Sequence, residues 1–215
     1  MNDARYESSL EYLSGLERFG SVFGLENISR LLGAIGDPHR SLRTVHVAGT
    51  NGKGSVCAMI EAILRGAGLR TGLYTSPHLV RFNERIAVNG VPLTDDELLA
   101  LWDRCEAAEE RSAVGAPGGR ATFFEFTTAL AFAYFQQRSV QTAVVEVGMG
   151  GRLDATNVVA PLLSVITPVS LEHTEYLGKT VAAIAGEKCG ILKPGRPVVY
   201  AQPDPAAAAV VRRTA

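Results

Sequence analysis

TVHVAGTNGKGSVCAMIEAILRGAGLRTGLYT, residues 44–75, decides the fold. Thr44 to Ala48 is a short β-branched run, which reads as a strand. Gly49 to Gly54 is a glycine-rich turn. Val56, Met59, Ile60, Ile63, Leu64 and Ala67 then recur at helical spacing, so the spacing predicts a helix with these residues on its core face. Gly66 and Gly68 close it, and Gly72 to Thr75 begins a second strand. Strand, helix and strand in so short a span form a βαβ unit, with parallel pairing and a right-handed crossover.

The turn itself carries chemistry. Backbone amides of a glycine-rich loop entering a helix converge on one spot, and the helix N-terminus adds about half a positive charge. Lys53 adds a full charge and Ser55 offers a hydroxyl to a divalent ion. Thr50, Asn51, Gly52, Lys53, Gly54 and Ser55 therefore read as a phosphate cradle. The loop departs from the common GxxxxGK[ST] form: Val47 stands at the first glycine position, and Gly54 separates lysine from serine. A structural glycine turn is the alternative.

Outward from this unit, the chain alternates helices and strands. Tyr6, Leu10, Leu13 and Leu16 share a helical face, and Leu25, Ile28, Leu31, Leu32 and Ile35 form a second stripe that stops at Gly36-Asp37-Pro38. Arg85 to Val88 alternates and is followed by Asn89-Gly90, a hairpin turn, so a small antiparallel ribbon near 84–92 is expected outside the main sheet. Thr94–Glu97 and Thr122–Glu125 are capping-box patterns. The second opens a helix through Phe135 that is apolar nearly all round. Ser112–Gly119 reads as a loop. Ala143–Val147 and Leu162–Thr167 are continuous apolar runs, the mark of central parallel strands covered on both faces. Val181, Ile184, Ala185 and Lys188 indicate another helix, Pro197–Ala201 a fifth strand, and Asp204-Pro205 the start of a last helix. The expected fold is α/β, with a mostly parallel sheet and helices on both faces.

Glu146 ends one of the buried strands, where a carboxylate is costly unless it is paired or bound to a cation. Ligands of open α/β sheets sit at the carboxyl edge of the strands. That edge would receive Lys53 and Ser55, Ser76, Glu146, and the segment with His173. Oxygen donors with phosphates suit Mg²⁺. Alone, Glu146 is equally consistent with a salt bridge, and a lone His173 with an ordinary surface or core group.

Composition narrows the classes. The 215 residues hold 21 Lys plus Arg and 22 Asp plus Glu, for a net charge of -1, and 47% are apolar. Enough apolar surface is available to build a core, which excludes disorder as the main state. No basic block marks a nucleic-acid binder. The longest apolar stretch, Phe126–Phe135, is too short to span a bilayer. The acidic N-terminus is no secretory signal. Cys57, Cys105 and Cys189 are too scattered for a metal clip or disulfide framework and point to a reducing, cytoplasmic setting.

HVAGTNGKGS (46–55), TSPHLVRFNERI (75–86), TFFEFTTALAF (122–132), VVEVGMGGRLDATN (144–157), SLEHTEYLG (170–178) and IAGEKCGILKPG (184–195) resemble, in order, the folylpolyglutamate synthase/dihydrofolate synthase branch of Mur-type ATP-dependent amide ligases. The likeness runs from about Gly24 to Gln202. It implies that Thr50 to Ser55 bind ATP phosphates and that Ser55, Ser76, Glu146 and His173 hold Mg²⁺. It implies that Lys53, Glu146, His173 and Lys188 are catalytic, with Lys188 carbamylated and serving the metal as an anion. Thr122, Phe123, Phe124, Glu125, Leu153, Asp154 and Ala155 match segments that hold the pterin. Ser76 to Arg85 matches a mobile loop near the folate. Glu172, Met149 and Cys189 depart from the family's usual aspartate, leucine and alanine.

The implied reaction is ATP-dependent addition of L-glutamate to a folate, and to dihydropteroate, through an acyl phosphate. The expected partners are these small molecules, with no nucleic acid, no membrane and a monomeric state. Residues 1–215 read as the ATP-binding N-terminal domain, truncated, with the C-terminal glutamate-ligase domain absent. Two other readings stand beside this one: a P-loop kinase or regulatory NTPase, and a fragment that binds ATP and Mg²⁺ without catalysis.

Overall fold

The computed structural model describes residues 2–17, 24–114, 116 and 119–215. Seven strands form one sheet: β1 (Arg43–Ala48), β2 (Thr71–Tyr74), β3 (Ile86–Val88), β4 (Val91–Pro92), β5 (Thr142–Glu146), β6 (Leu163–Ile166) and β7 (Val198–Tyr200). Their order is β4-β3-β2-β5-β1-β6-β7. The β2-β5-β1-β6-β7 portion is parallel. The helices are α1 (Asn2–Glu17), α2 (Glu26–Ala34), α3 (Lys53–Gly66), α4 (Asp95–Ala113), α5 (Phe123–Gln137), α6 (Val181–Lys188) and α7 (Pro205–Thr214). α4 runs through Ser112 and Ala113, two residues into the stretch expected as a loop; residues 115, 117 and 118 of that stretch lie outside the described residues, as does the side chain of Leu16.

The antiparallel ribbon is part of the main sheet, contrary to the sequence expectation. β3 pairs with β2, Gly72 opposite Val88 and Tyr74 opposite Ile86. Ile86, Ala87 and Val88 are all buried, so both faces of β3 are covered, as for an interior strand. Asn89 and Gly90 take positive φ, 53° and 76°, the hairpin geometry their identities favour.

α5 lies over the sheet with Phe126, Phe132 and Phe135 fully enclosed. Around it pack α2, α4 and residues of α1. Further along the same face, α6 and α7 cover Ala48 and Ile166. Thr122 and Thr94 cap α5 and α4 by accepting from the amides of Glu125 and Glu97, as the capping boxes foretell.

On the opposite face, α3 covers Val45, Val47, Val144 and Val165. Its orientation differs from the one its apolar stripe suggests. Met59 and Ile63 are 63% and 71% exposed, whereas Cys57 and Glu61 are buried. The cause is a polar contact: the Glu61 carboxylate accepts from the Thr71 hydroxyl on β2 and from Arg65 Nε. That pairing offsets the carboxylate's desolvation and turns the helix.

This arrangement predicts unequal costs. Phe132→Ala should destabilise by about 3–5 kcal/mol in denaturant titration, and Ile63→Ala by at most about 0.5 kcal/mol. A loss above about 2 kcal/mol at Ile63 would place that face in the core.

Candidate active site

β1 delivers the glycine loop to the carboxyl edge of the sheet. Gly49 has φ 149°, and a Cβ there would lie 1.8 Å from Thr167 Oγ1, so no side chain fits. Gly52 caps α3 in the left-handed region, φ 80°, with no side-chain cap. The first amides of α3 thus lack intrahelical acceptors and face the cleft, an anion-binding arrangement. The loop is pinned from outside: the amides of Thr50 and Asn51 donate to Pro168 O, and Thr50 Oγ1 donates to Ser170 O. Lys53 Nζ donates to Thr50 O at 3.3 Å.

A cleft of about 410 Å³ opens here, lined by Lys53, Ser55, Ser76, His78 and Glu146 among others. Glu146 is 3% exposed. Its Oε2 accepts from the Ser76 amide at 3.1 Å. Burial pushes its carboxyl pKa up, opposed by the Ser76 bond and by the charge of Lys53. A divalent cation fits this setting. It would offset the desolvated charge, and Ser55 and Ser76 add hydroxyl oxygens on the same cleft. Among the described residues no group of three or more His, Cys, Asp or Glu side chains could hold a metal, so phosphate oxygens and water would have to complete such a shell.

His173 and Lys188 stand apart from that cleft's lining. His173 is exposed, with φ 43°, on the segment that pins the phosphate loop. Lys188 is 1% exposed; its Nζ donates to Gly49 O at 2.8 Å and to Glu172 Oε1. Burial lowers its pKa, with Glu172 opposing that shift only in part. These two acceptors suit an ammonium. The carbamate expected from the resemblance would set an anion against the Glu172 carboxylate and a carbonyl oxygen.

The pterin segments divide. Thr122 and Glu125 are taken up by their capping box, and burial pushes the Glu125 carboxyl pKa up. Phe123 meets Phe82 edge-on and the Arg85 guanidinium at 5.1 Å. Arg85 Nε donates to His78 Nδ1 at 2.8 Å, so this loop arginine is held between aromatic rings. Phe124 packs on Tyr74. Leu153 is exposed, Ala155 buried, and Asp154 is buried with its carboxylate bonded inward. His78, inside the quoted loop block, was the cleft residue least legible beforehand, since a lone histidine carries no spacing signal.

Comparison with known proteins agrees with this geometry. A model of the Mur ligase middle domain matches residues 47–214. The dihydrofolate synthase/folylpolyglutamate synthase of Bacillus subtilis is 43% identical over 98% of this chain and 49% of its own length. The chain belongs to the Mur ligase family, whose middle domain it carries. It spans about half the length of the curated relatives it matches. A solved folylpolyglutamate synthase complex with AMPPCP and folate is 44% identical over 97% of this chain and 51% of its own, with a TM-score of 0.90. The Escherichia coli FolC protein in complex with DHPP and ADP is 35% identical over 95% of this chain and 48% of its own, with a TM-score of 0.85. No helix among the described residues is long and apolar enough to cross a membrane.

One buried histidine of this family member gives a pH prediction. His46 on β1 is fully buried, and desolvation, aided by Lys193, lowers its pKa to about 3. The unfolded chain protonates near the ordinary value of 6.5. Stability from neutral His46 is therefore complete above that value and is lost as pH falls from 6.5 towards 3. Between pH 7 and about pH 5, wild type should lose more unfolding free energy than His46→Gln. Equal losses would contradict the burial of an uncharged ring.

Proposed function

We propose that residues 1–215 form the nucleotide-binding domain of an ATP-dependent ligase that joins L-glutamate to a folate, and to dihydropteroate. The observation that supports this most is the meeting of the phosphate loop with a buried strand-end carboxylate, Glu146, in one cleft. The relatives solved with AMPPCP, ADP, folate and DHPP supply the ligand classes.

In this reading the first amides of α3 and Lys53 bind the β- and γ-phosphates, while the Thr50 and Asn51 amides stay on Pro168 O. The pterin part of the substrate lies near the Phe123–Phe124 and Leu153–Ala155 segments; its distant carboxylate attacks the γ-phosphate, and ADP leaves. Lys53 and the α3 amides counter the charge that builds on the transferred oxygens. The glutamate amine then attacks the acyl phosphate carbon and releases phosphate. Mg²⁺, held by Glu146, Ser55 and Ser76, would supply further charge neutralisation; His173 lies outside that cleft's lining. Lys188 fixes the loop through Gly49 O. Placement does most of the work, and no covalent enzyme nucleophile is called on. The buried free thiols of Cys57, Cys105 and Cys189 suit a reducing, cytoplasmic setting.

Phosphate release from ATP, measured with folate or dihydropteroate, should depend on added L-glutamate. Release that ignores glutamate would favour a kinase or regulatory NTPase. No release, with measurable AMPPCP binding, would mark a half-length chain that binds nucleotide without turnover. Lys53→Ala should weaken AMPPCP binding about tenfold or more, equivalent to about 1.4 kcal/mol. Unchanged affinity would remove the loop from the phosphate site.

A further inference from the structure

α5 is apolar nearly all round, yet Thr127 and Thr128 sit side by side in its first half, both fully buried. A buried hydroxyl needs a partner. These two meet a third, the Tyr74 phenol at the end of β2. Thr127 Oγ1 donates to Phe124 O at 3.2 Å, one turn back along the helix. Its single hydrogen is spent there, so Tyr74 must donate to Thr127 Oγ1, at 3.0 Å. The phenol's hydrogen is then spent too, so Thr128 Oγ1 donates to the Tyr74 oxygen, at 3.2 Å. The bonds therefore run one way, from Thr128 through Tyr74 and Thr127 to Phe124 O. Burial pushes the Tyr74 phenol pKa up to about 12, so this line keeps its protons through the neutral range.

The line ends on the residue whose ring Tyr74 also supports. The Tyr74 and Phe124 rings lie 6.0 Å apart, tilted by 35°. A Cβ at Gly148 would sit 2.6 Å from Phe124 Cζ, so the tip of that ring rests on the turn after Glu146. Phe124 is thus held at its carbonyl and at its ring, and it is still only partly buried. A fixed, partly open aromatic ring is a stacking surface for a flat heteroaromatic group. Its neighbour Phe123 leans instead on Phe82 and Arg85 of the 76–85 loop.

We propose that Tyr74 is a positioning residue for the pterin site: its hydroxyl, acting through Thr127, holds Phe124 so that the open part of the ring is preset to stack on the pterin. This rests on the reading of Phe123–Phe124 as a segment that meets the pterin. Tyr74 is fully buried and does not line the phosphate cleft. Loss of its hydroxyl should weaken pterin binding and spare nucleotide binding.

The test is the affinity of the 215-residue chain for dihydropteroate and, separately, for AMPPCP, by calorimetry beside thermal melts. Wild type should bind dihydropteroate, and Phe124→Ala should lose most of that affinity. Tyr74→Phe keeps the ring and removes the hydroxyl. It should weaken dihydropteroate binding about fivefold or more, the worth of one net hydrogen bond, with AMPPCP affinity at the wild-type value. Thr127→Val should show the same selective loss, and Thr127→Ser, which keeps the hydroxyl, should restore it. Val45→Ala, in the core on the other face of the sheet, should lower the melting temperature and leave dihydropteroate affinity unchanged. If Tyr74→Phe does not fold, the Thr127 pair decides. Dihydropteroate affinity lost in Phe124→Ala but kept in Tyr74→Phe or Thr127→Val overturns the proposal alone. An equal loss in Val45→Ala, or an equal loss of AMPPCP affinity in Tyr74→Phe, overturns it too. Wild type that does not bind dihydropteroate, or Phe124→Ala that binds it as well as wild type, overturns the reading of the segment and the proposal with it.

Discussion

A carboxylate at the end of a strand covered on both faces must find compensation for lost water. Glu146 receives one amide bond, from Ser76, and the partial relief of Lys53 across the cleft. Nearly everything else at the site is arranged around that charge. β1 and β2 flank β5, so the loops that leave them bring Lys53 and Ser76 to the same edge. α3 starts there with its first amides uncapped by any side chain. A sheet of this order puts positive potential and a buried anion side by side, and the space between suits a cation and a polyphosphate.

Glycines make the convergence possible by permitting contact. Gly49 lies against Thr167, Gly148 against the Phe124 ring, and Gly151 against the backbone at Lys188. Each joins the end of one strand to a neighbouring segment at a distance no Cβ would allow. The phosphate loop and the turn after Glu146 thereby become parts of one packed layer. The rigidity comes from side chains that turn inward, Thr50 to Ser170, Lys188 to Gly49, and Asp154 to the amides of Gly148 and Met149.

The parallel core and its helices were legible because their signals are local. Capping boxes at Thr94 and Thr122, the Asn89-Gly90 turn and the apolar runs of β5 and β6 depend on near neighbours in the chain. The rotation of α3 was not legible, because it depends on the Thr71 hydroxyl donating to Glu61 across ten residues. The place of β3 in the main sheet was missed for a similar reason: it depends on pairing with β2, across the connection from Tyr74 to Ile86. At the site, residue types pointed to Lys53, Ser55, Ser76 and Glu146, which share the cleft. The quoted block gave no sign of how the Asp154 carboxylate is bonded. Its inward bonding emerges only when Gly148, Thr156 and His46 are seen around it.

The central claim is that Glu146 and the phosphate loop hold one metal-nucleotide unit between them. Crystals grown with AMPPCP and Mn²⁺ test it most directly, because manganese gives an anomalous signal at its own position. The account predicts one peak in contact with Glu146, with the phosphate oxygens of the analogue lying over the α3 N-terminus. A peak away from Glu146, or a triphosphate bound outside the Lys53–Ser55 turn, would contradict it.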